Sequence, residues 1–488
     1  MELRSENERL RKENARQAHE LAAALEAIRQ LTEHVQQLTE RVRELEAQLG
    51  QDSHNSHWPS SRDKGRRQTK SLRQRSGKKA GGQPGHPGAT LTLRDAVDAV
   101  VEHRPSTCEA CGGVLDGCET VGLTAERRQV LDVPPLRLCV TEHRAAQVQC
   151  PGCGQVNQGT FPAGVSQATQ YGPEVKGLCV YLNQHQLLPL QRLAEMMNEL
   201  FGCQLTAGSI VNWQRDAAQR VYASVDSIKQ ALCAAPVVHC DETGVYVAGA
   251  RHWLHVLGTA NLTYYFPHRQ RGRAGIEAMG VLPTFTGVAV HDNWSAYGRY
   301  TCQHALCNVH HLRELTYIDE EFKQPWAAEM RHFLVEAKAA VAAASHAGLT
   351  ALTPVDRQHF ADTYQRILDA AFAANPVPPD GWPRRGQRGR PKKPKARNLA
   401  ERFDTQRQKV LAFLDDFNVP FDNNLAERDL RMLKVQQKIS GCFRSWSGTE
   451  QAATLRSYLS TMRKQHHNPL HLLSELFAGR LLAPSLSG

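Results

Sequence analysis

Three acidic residues, far apart in the chain, each sit in a local pattern that fixes their support. Asp241 lies inside PVVHCDETGVYV, Asp292 closes TGVAVHD, and Glu427 follows FDNNLA at the head of a helical run. Strand interior, strand end and helix start are rigid supports, and a fold that joins them gathers three carboxylates at one place. Such a cluster is a setting for divalent metal, because hard cations prefer oxygen ligands.

The chain has 488 residues, which calls for several domains and allows a sizeable core. A formal net charge of +10 favours a polyanionic partner over an acidic small molecule. No apolar run reaches membrane-spanning length, so no membrane role is expected. The N-terminus is charged and helical, unlike a signal peptide. Thirteen cysteines, an odd number in a long chain, fit a reducing cytoplasm better than a secreted disulfide framework.

Residues 1–50 form a heptad pattern. Ile28, Val35, Val42 and Leu49 recur every seven residues, with Leu31, Leu38 and Leu45 three further on; Leu21, Ala24 and Leu10 extend the seam upstream. Asn7 and Asn14 fall at a positions, where Asn sets register. The pattern predicts a coiled coil that joins copies of the chain; the alternative is one amphipathic helix folded on its own chain. Residues 51–90 form a basic linker containing Arg66, Arg67, Arg73, Arg75, Lys78 and Lys79 and ending in GGQPGHPG. It reads as an arm that tracks phosphates or as a soluble tether.

Residues 91–165 hold Cys108-x-x-Cys111 and Cys150-x-x-Cys153, each followed by Gly (Gly112, Gly154). Two such turns offer four thiolates to a closed structural Zn2+ site. The gap between the pairs is expected to hold strands such as RLCVTEHRAAQVQC, with Cys118 and Cys139 as core residues. Residues 166–232 read as two amphipathic helices flanking a short turn, the second capped by Thr206. This is a helix-turn-helix that offers Ser209, Asn212, Gln214 and Arg215 to a groove, or an ordinary helical hairpin.

From residue 236 the period changes to that of strands. PVVHCDETGVYVAG, ARHWLHVLGT and LTYYFPHRQ are three β runs; a short helix, RAGIEAMGVLP, precedes a fourth strand, TGVAVHD, and HALCNVH reads as a fifth. A long helical stretch follows, about 311–415, as an insertion. Three antiparallel strands, a helix and further strands is the RNase H-like order. Side chains alternate along a strand, so Glu242 faces away from Asp241. On the helix after Asp422-Asn423-Asn424, Arg428, Arg431, Lys434 and Lys438 are placed to hold phosphates, and Asp429 lies about 200° around from Glu427. Cys307-x-x-His310 follows the fifth strand, with no further pair to complete a separate metal site. The two residues either help position DNA or serve as core and surface groups. Within the insertion, Arg388-Gly389-Arg390 resembles an AT-hook inside a basic 383–397 stretch, which otherwise reads as a phosphate-binding loop.

The motifs LPLQRLAEMM, HCDETGVYV, HDNWSAYGRYTCQHALCNVHHLREL, FDNNLAERDLRMLKVQQKISGCFRS and RSYLSTMRKQHHNPLHLLSELFAG, with the coiled coil, GGQPGHPG and the paired C-x-x-C, resemble transposases of the insertion-sequence 66 family nearly end to end. The resemblance implies an Asp-Asp-Glu enzyme with its triad on Asp241, Asp292 and Glu427. It also implies Mg2+ (or Mn2+), terminal inverted repeats and target DNA as substrates, a bacterial cytoplasmic or nucleoid setting, and small accessory proteins as partners. The expected architecture is multidomain α+β: coiled coil (1–50), linker (51–90), zinc-binding domain (91–165), helical DNA-binding region (166–232), RNase H-like α/β catalytic core with a helical insertion (233–445) and a helical tail (446–488). A non-catalytic DNA-binding regulator, or a structure-specific nuclease on the same fold, are the alternatives.

Overall fold

The computed structural model describes residues 2–51, 55, 85, 91–119, 127–134, 136–379, 381–382 and 393–486. The linker residues Arg66, Arg67, Arg73, Arg75, Lys78 and Lys79, and the Arg388 to Arg390 stretch, lie outside them. The first element, α1 (Glu2–Leu49), is one long helix. Its seam is exposed along most of its length, from Leu21 (62%) to Leu38 (64%). Only its C-terminal end is covered. There Ala47 is buried and its carbonyl accepts the Tyr317 hydroxyl at 3.0 Å.

The cysteine-rich region contains one small hairpin, β1 (Gln147–Gln149) with β2 (Val156–Gln158). RLCVTEHRAAQVQC therefore contributes only its end to a strand. Cys118 and Cys139 are exposed, not core residues. Four thiolates to bind metal do not require an apolar core around the remaining cysteines, which is where that expectation failed.

The next elements are α2 (Pro173–Val180), α3 (Leu190–Phe201) and α4 (Ala207–Cys233). Gly202, at φ 69°, ends α3, and Thr206 Oγ1 accepts the Ser209 N–H at 3.2 Å to start α4. Of the residues considered for a groove, Gln214 is buried and donates to Asn183 Oδ1 at 2.6 Å, so it is committed to the interior. Asn212 and Arg215 are exposed and bonded to each other.

The central sheet has five strands: β3 (Val237–Val247), β4 (Ala250–Gly258), β5 (Thr263–His268), then, after α5 (Arg273–Met279), β6 (Val288–His291) and β7 (Gln303–Leu306). Their order is β5-β4-β3-β6-β7. The first three form an antiparallel meander, while β6 runs parallel to β3 and β7 parallel to β6. Ala248 (φ 50°) and Gly249 (φ 82°) make the two-residue turn between β3 and β4, matching the twist of a tight hairpin. All four residues of β6 are buried, as a central parallel strand requires.

The chain then leaves the sheet through α6 (Asn308–Phe322), α7 (Pro325–His346), α8 (Pro354–Ala374), α9 (Lys395–Thr405), α10 (Arg407–Val410) and α11 (Ala412–Asp415). These helices have their own apolar centre, including Trp326, Phe333, Tyr364 and Phe403, and the end of α1 docks on it through Ala47. The chain returns as α12 (Asn424–Ser440), α13 (Trp446–Lys464) and α14 (Pro469–Phe477). On one face of the sheet, α4 and α5 cover Val238, Cys240 and Leu257; on the other, α12 and α13 cover Val245, Val256 and Tyr265. Helices α2 and α14 cross so closely that a Cβ on Gly177 would lie 2.7 Å from the Ser474 nitrogen.

The free edge of β5 is closed by α13. Thr461 Oγ1 accepts the Thr263 N–H at 2.9 Å and donates to the Thr263 carbonyl at 3.2 Å, while Ser457 Oγ accepts the Tyr265 N–H at 2.9 Å. The next outward position is Pro267, which has no N–H to satisfy. An edge that would otherwise pair with another chain is thus finished by hydroxyls one helical turn apart. Thr461→Val leaves two buried backbone groups of Thr263 unpartnered and is expected to lower stability by about 1–3 kcal/mol. Urea unfolding beside Thr461→Ser, which keeps the hydroxyl and should lose less, measures this.

Candidate active site

The alternation of β3 decides which of its two adjacent acids meets α12. Odd-numbered Val245 and Val247 pack under α12, so Asp241 shares that side, while Glu242 points to the opposite face. Asp241 Oδ1 accepts the Glu242 N–H at 2.8 Å. Asp292 follows the last residue of β6, and its Oδ1 accepts the Trp294 N–H at 3.0 Å. Glu427 is in the first turn of α12. Its Oε1 is buried with no hydrogen-bond partner among the described residues.

The electrostatics show that these groups share one neighbourhood. Burial pushes the Asp241 carboxyl well above its ordinary value; Glu242 adds to this, as do Asp292 and Glu427. Burial also pushes Glu242 up, but that acid has its own compensation. It accepts the Tyr297 hydroxyl, and Arg271 Nη2 lies 2.7 Å from Glu242 Oε1. Asp241 has no such cation. Oxygen donors, one of them orphaned and another buried without a counter-charge, fit a hard divalent cation.

Asn423 ties two of the three supports together. It is buried, immediately before α12. Its Nδ2 donates to the Cys240 carbonyl at 2.8 Å, its Oδ1 accepts from His239 Nδ1 at 2.9 Å, and its own N–H donates to Cys307 Sγ at 3.2 Å. One side chain therefore fixes the strand of Asp241 against the helix of Glu427. Sequence reasoning missed this residue, because an Asn before a helix reads as a cap for that helix, whereas here the side chain is spent on β3. Arg271 and Tyr297 were missed too, since neither lies in a motif that names its partner.

Cys307 and His310 lie against Glu427. The ligand atoms of Cys307, His310 and Glu427 fall within 4.8 Å of one another, a set able to hold a metal ion. Glu427 thus supplies a third donor, where the sequence offered no pair to complete one. His310 Nε2 is 3.9 Å from Glu427 Oε1, and burial holds the imidazole below its ordinary value, hence neutral near pH 7. Burial pushes the Cys307 thiol up to about 12. Arg428, Arg431, Lys434 and Lys438 are all exposed along α12, away from its packed side.

Each C-x-x-C forms a knuckle of its own. Gly112 donates to the Cys108 carbonyl and Gly154 to the Cys150 carbonyl, both at 2.8 Å, with φ 71° and 76°. Backbone N–H groups aimed at the sulfurs lower the Cys108 and Cys150 thiols: those of Cys111 and Ala110 in the first, those of Gly152 and Cys153 in the second. That favours the thiolate that zinc needs. The four sulfurs are not drawn into one cluster, since no three of them lie within 4.8 Å of one another.

A carboxyl whose folded pKa is raised favours the folded state while protonated and penalises it once ionised. Metal-free protein should therefore lose stability through Asp241 as pH rises above the ordinary value near 3.8 and through the raised one. Asp241→Asn, which cannot ionise, is expected to melt higher than wild type by a margin that widens with pH. Millimolar Mg2+ should stabilise wild type and not the variant. Thermal melts at several pH values, with and without the ion, check both signs.

Residues 168–451, which contain the sheet, Asp241, Asp292, Glu427 and the inserted helices, match the model described as Transposase IS66 family. Residues 105–154 match the zinc-finger binding domain of transposase IS66 and take in all four paired cysteines, which supports a structural zinc. Residues 7–92 match a family of unknown function, DUF6444. No curated protein matches the chain. Among the described residues no helix is long and apolar enough to cross a membrane. The transposase model spans more than half of the chain, and this protein belongs to the IS66 family of DNA transposases.

Proposed function

We propose that the chain cuts DNA at the ends of its insertion sequence and joins the freed 3′-hydroxyls to target DNA, on an RNase H-like core. The observations that support this reading are the Asp241 carboxyl, raised by burial with Asp292 and Glu427 adding to it, and the buried Glu427 Oε1 without a hydrogen-bond partner among the described residues, although the three carboxylates are not drawn within 4.8 Å of one another. Mg2+ or Mn2+ bound there would activate the attacking oxygen and offset charge on the phosphate. Asp241 and Glu427 are held in place by Asn423, so the donor spacing is set before DNA arrives. Asp292 is oriented by the Trp294 N–H. Water displaces the 3′-oxygen at the transposon end; that 3′-hydroxyl then attacks a target phosphodiester and displaces a target 3′-oxygen, with no covalent protein-DNA link.

Terminal inverted repeats would be held by the exposed cations of α12, by the zinc-finger region and by the basic linker. A strand-transfer assay with purified full-length protein, Mg2+, an end-bearing duplex and a target plasmid tests the reading. Wild type should give joined product, and Glu427→Gln should bind ends normally but lose at least about 10³-fold in rate. Cutting without joining would favour a nuclease, and binding alone a DNA-binding regulator or a need for the element's accessory proteins.

The exposed seam of α1 is read as the surface that joins copies of the chain into a homo-oligomer. Leu31→Asp with Leu38→Asp should convert the protein to a monomer in analytical ultracentrifugation. An unchanged mass would place the assembly contact elsewhere.

A further inference from the structure

One face of the β3–β4 hairpin carries a stack of side chains that the three carboxylates do not use. The cross-strand pairs Glu242 with His255, Gly244 with Trp253, and Tyr246 with Arg251 share this face. At the Glu242 end it is buried. Toward the turn it is open, with Tyr246 47% exposed and Arg251 exposed. Gly244 leaves a gap there that Arg251 fills, since a Cβ on Gly244 would lie 3.0 Å from Arg251 Nε. The Arg251 guanidinium stands 4.8 Å from the centre of the Trp253 ring. Arg271, from the loop after β5, stands 5.0 Å from Trp253 and 4.2 Å from Trp294. The result is a ladder: Arg251, Trp253, Arg271, Trp294.

The inner end of this ladder reaches the candidate active site on two sides. Trp294 donates its backbone N–H to Asp292, and Arg271 is seated on Glu242, the neighbour of Asp241. A guanidinium has five N–H donors. Arg271 gives its Nε and Nη2 to one Glu242 oxygen, and its side chain is still 40% exposed. Its remaining donors have no hydrogen-bond partner among the described residues. Charge compensation of Glu242 accounts for Arg271 but not for Arg251, which meets no carboxylate among the described residues. Two guanidiniums, both ordered by indole faces, line a surface that starts at Glu242 and at Asp292 beside the end of β6, on the opposite side of β3 from the Asp241 side chain, and runs outward.

We propose that this face is a rail for the transposon-end strand: Arg271 takes the phosphate next to the scissile one, and Arg251 a phosphate further out. The Gly244 level lies about 10 Å along β3 from Asp241, at roughly 3.3 Å per residue, so a cation at that level meets a phosphate beyond the one next to the scissile bond. The indoles hold the planar forks in the orientation in which they meet phosphate oxygens. The assignment rests on the reading that Asp241, Asp292 and Glu427 are the reacting centre.

The test uses the full chain and duplex transposon ends in which single phosphates around the cleavage position are replaced, one at a time, by neutral methylphosphonate. Binding is measured without divalent metal, so no chemistry is required. For wild type, neutralising a contacted phosphate should weaken binding about tenfold, the scale of one charge-assisted hydrogen bond. In Arg251→Gln the outer position, and in Arg271→Lys the inner one, should lose that sensitivity while other positions keep it. Arg251→Gln should also flatten the dependence of log affinity on log salt by roughly one unit, whereas Arg271→Lys, which keeps its charge, should leave that slope unchanged. If every position costs both variants what it costs wild type, the rail is wrong. Arg251 lies on the hairpin surface and carries the test alone if Arg271→Lys unfolds. Failure of wild type to cut under any metal would sink the catalytic reading without deciding these contacts, which the binding scan settles separately.

Discussion

Burying carboxylates beside one another is the constraint around which this core is built. Asp241 and Glu242, Asp292, and Glu427 come from three places in the chain, and burial around Asp241 and Glu242 removes water that would screen them. The protein compensates selectively. Glu242 receives Arg271 and Tyr297; Asp429, also on α12, receives Lys464 at 2.9 Å. Among the described residues, Asp241 receives only a neighbouring backbone N–H, and one oxygen of Glu427 has no hydrogen-bond partner. Asp292 and Glu427 both raise the Asp241 carboxyl, so the cost of ionising it falls on the acid with the least compensation.

The site is held by contacts between distant parts of the sequence. Asn423 reaches back to Cys240 and His239, and Thr461 and Ser457 reach back to β5. Between these returns, α7 to α9 make a separate apolar centre that touches the sheet little. The sheet is therefore incomplete until the insertion has been traversed. Lys464 reinforces this: besides Asp429 it donates to the carbonyls of Thr259 and Leu262, pinning α12 and α13 to the β4–β5 turn. The helix that carries Glu427 is fixed at its start by Asn423 and along its side by Lys464.

How much of this the sequence carried depends on the range of the interaction. Alternation along β3 was enough to turn Glu242 away from Asp241, and Thr206 marked the start of α4 by a contact three residues long. The strands β3 and β6 announced themselves by β-branched runs and β5 by its aromatic residues, whereas β7, Gln-His-Ala-Leu, carries no β-branched residue. What stayed hidden was pairing across long separations. Nothing near Arg271 names Glu242, and the buried role of Asn423 depends on a strand nearly two hundred residues earlier. Cys118 and Cys139 misled for the opposite reason. Cysteine is usually buried, but a small region with two short strands has little interior to bury it in.

The docking of α1 has a mechanical consequence. The helix is 48 residues long and, among the described residues, is buried only at Ala47, where the Tyr317 hydroxyl holds its last turns. At about 1.5 Å per residue it is a rod roughly 70 Å long, clamped at one end. A tilt of about 5° at the clamp moves the far tip by about 6 Å over that length. Copies joined along the outer part of such rods would keep their partner while their catalytic cores swing, so two cores could follow DNA ends whose spacing is not fixed in advance. The stiffness of the joint at Ala47, not the strength of the seam, would then set how widely separated the two ends can be.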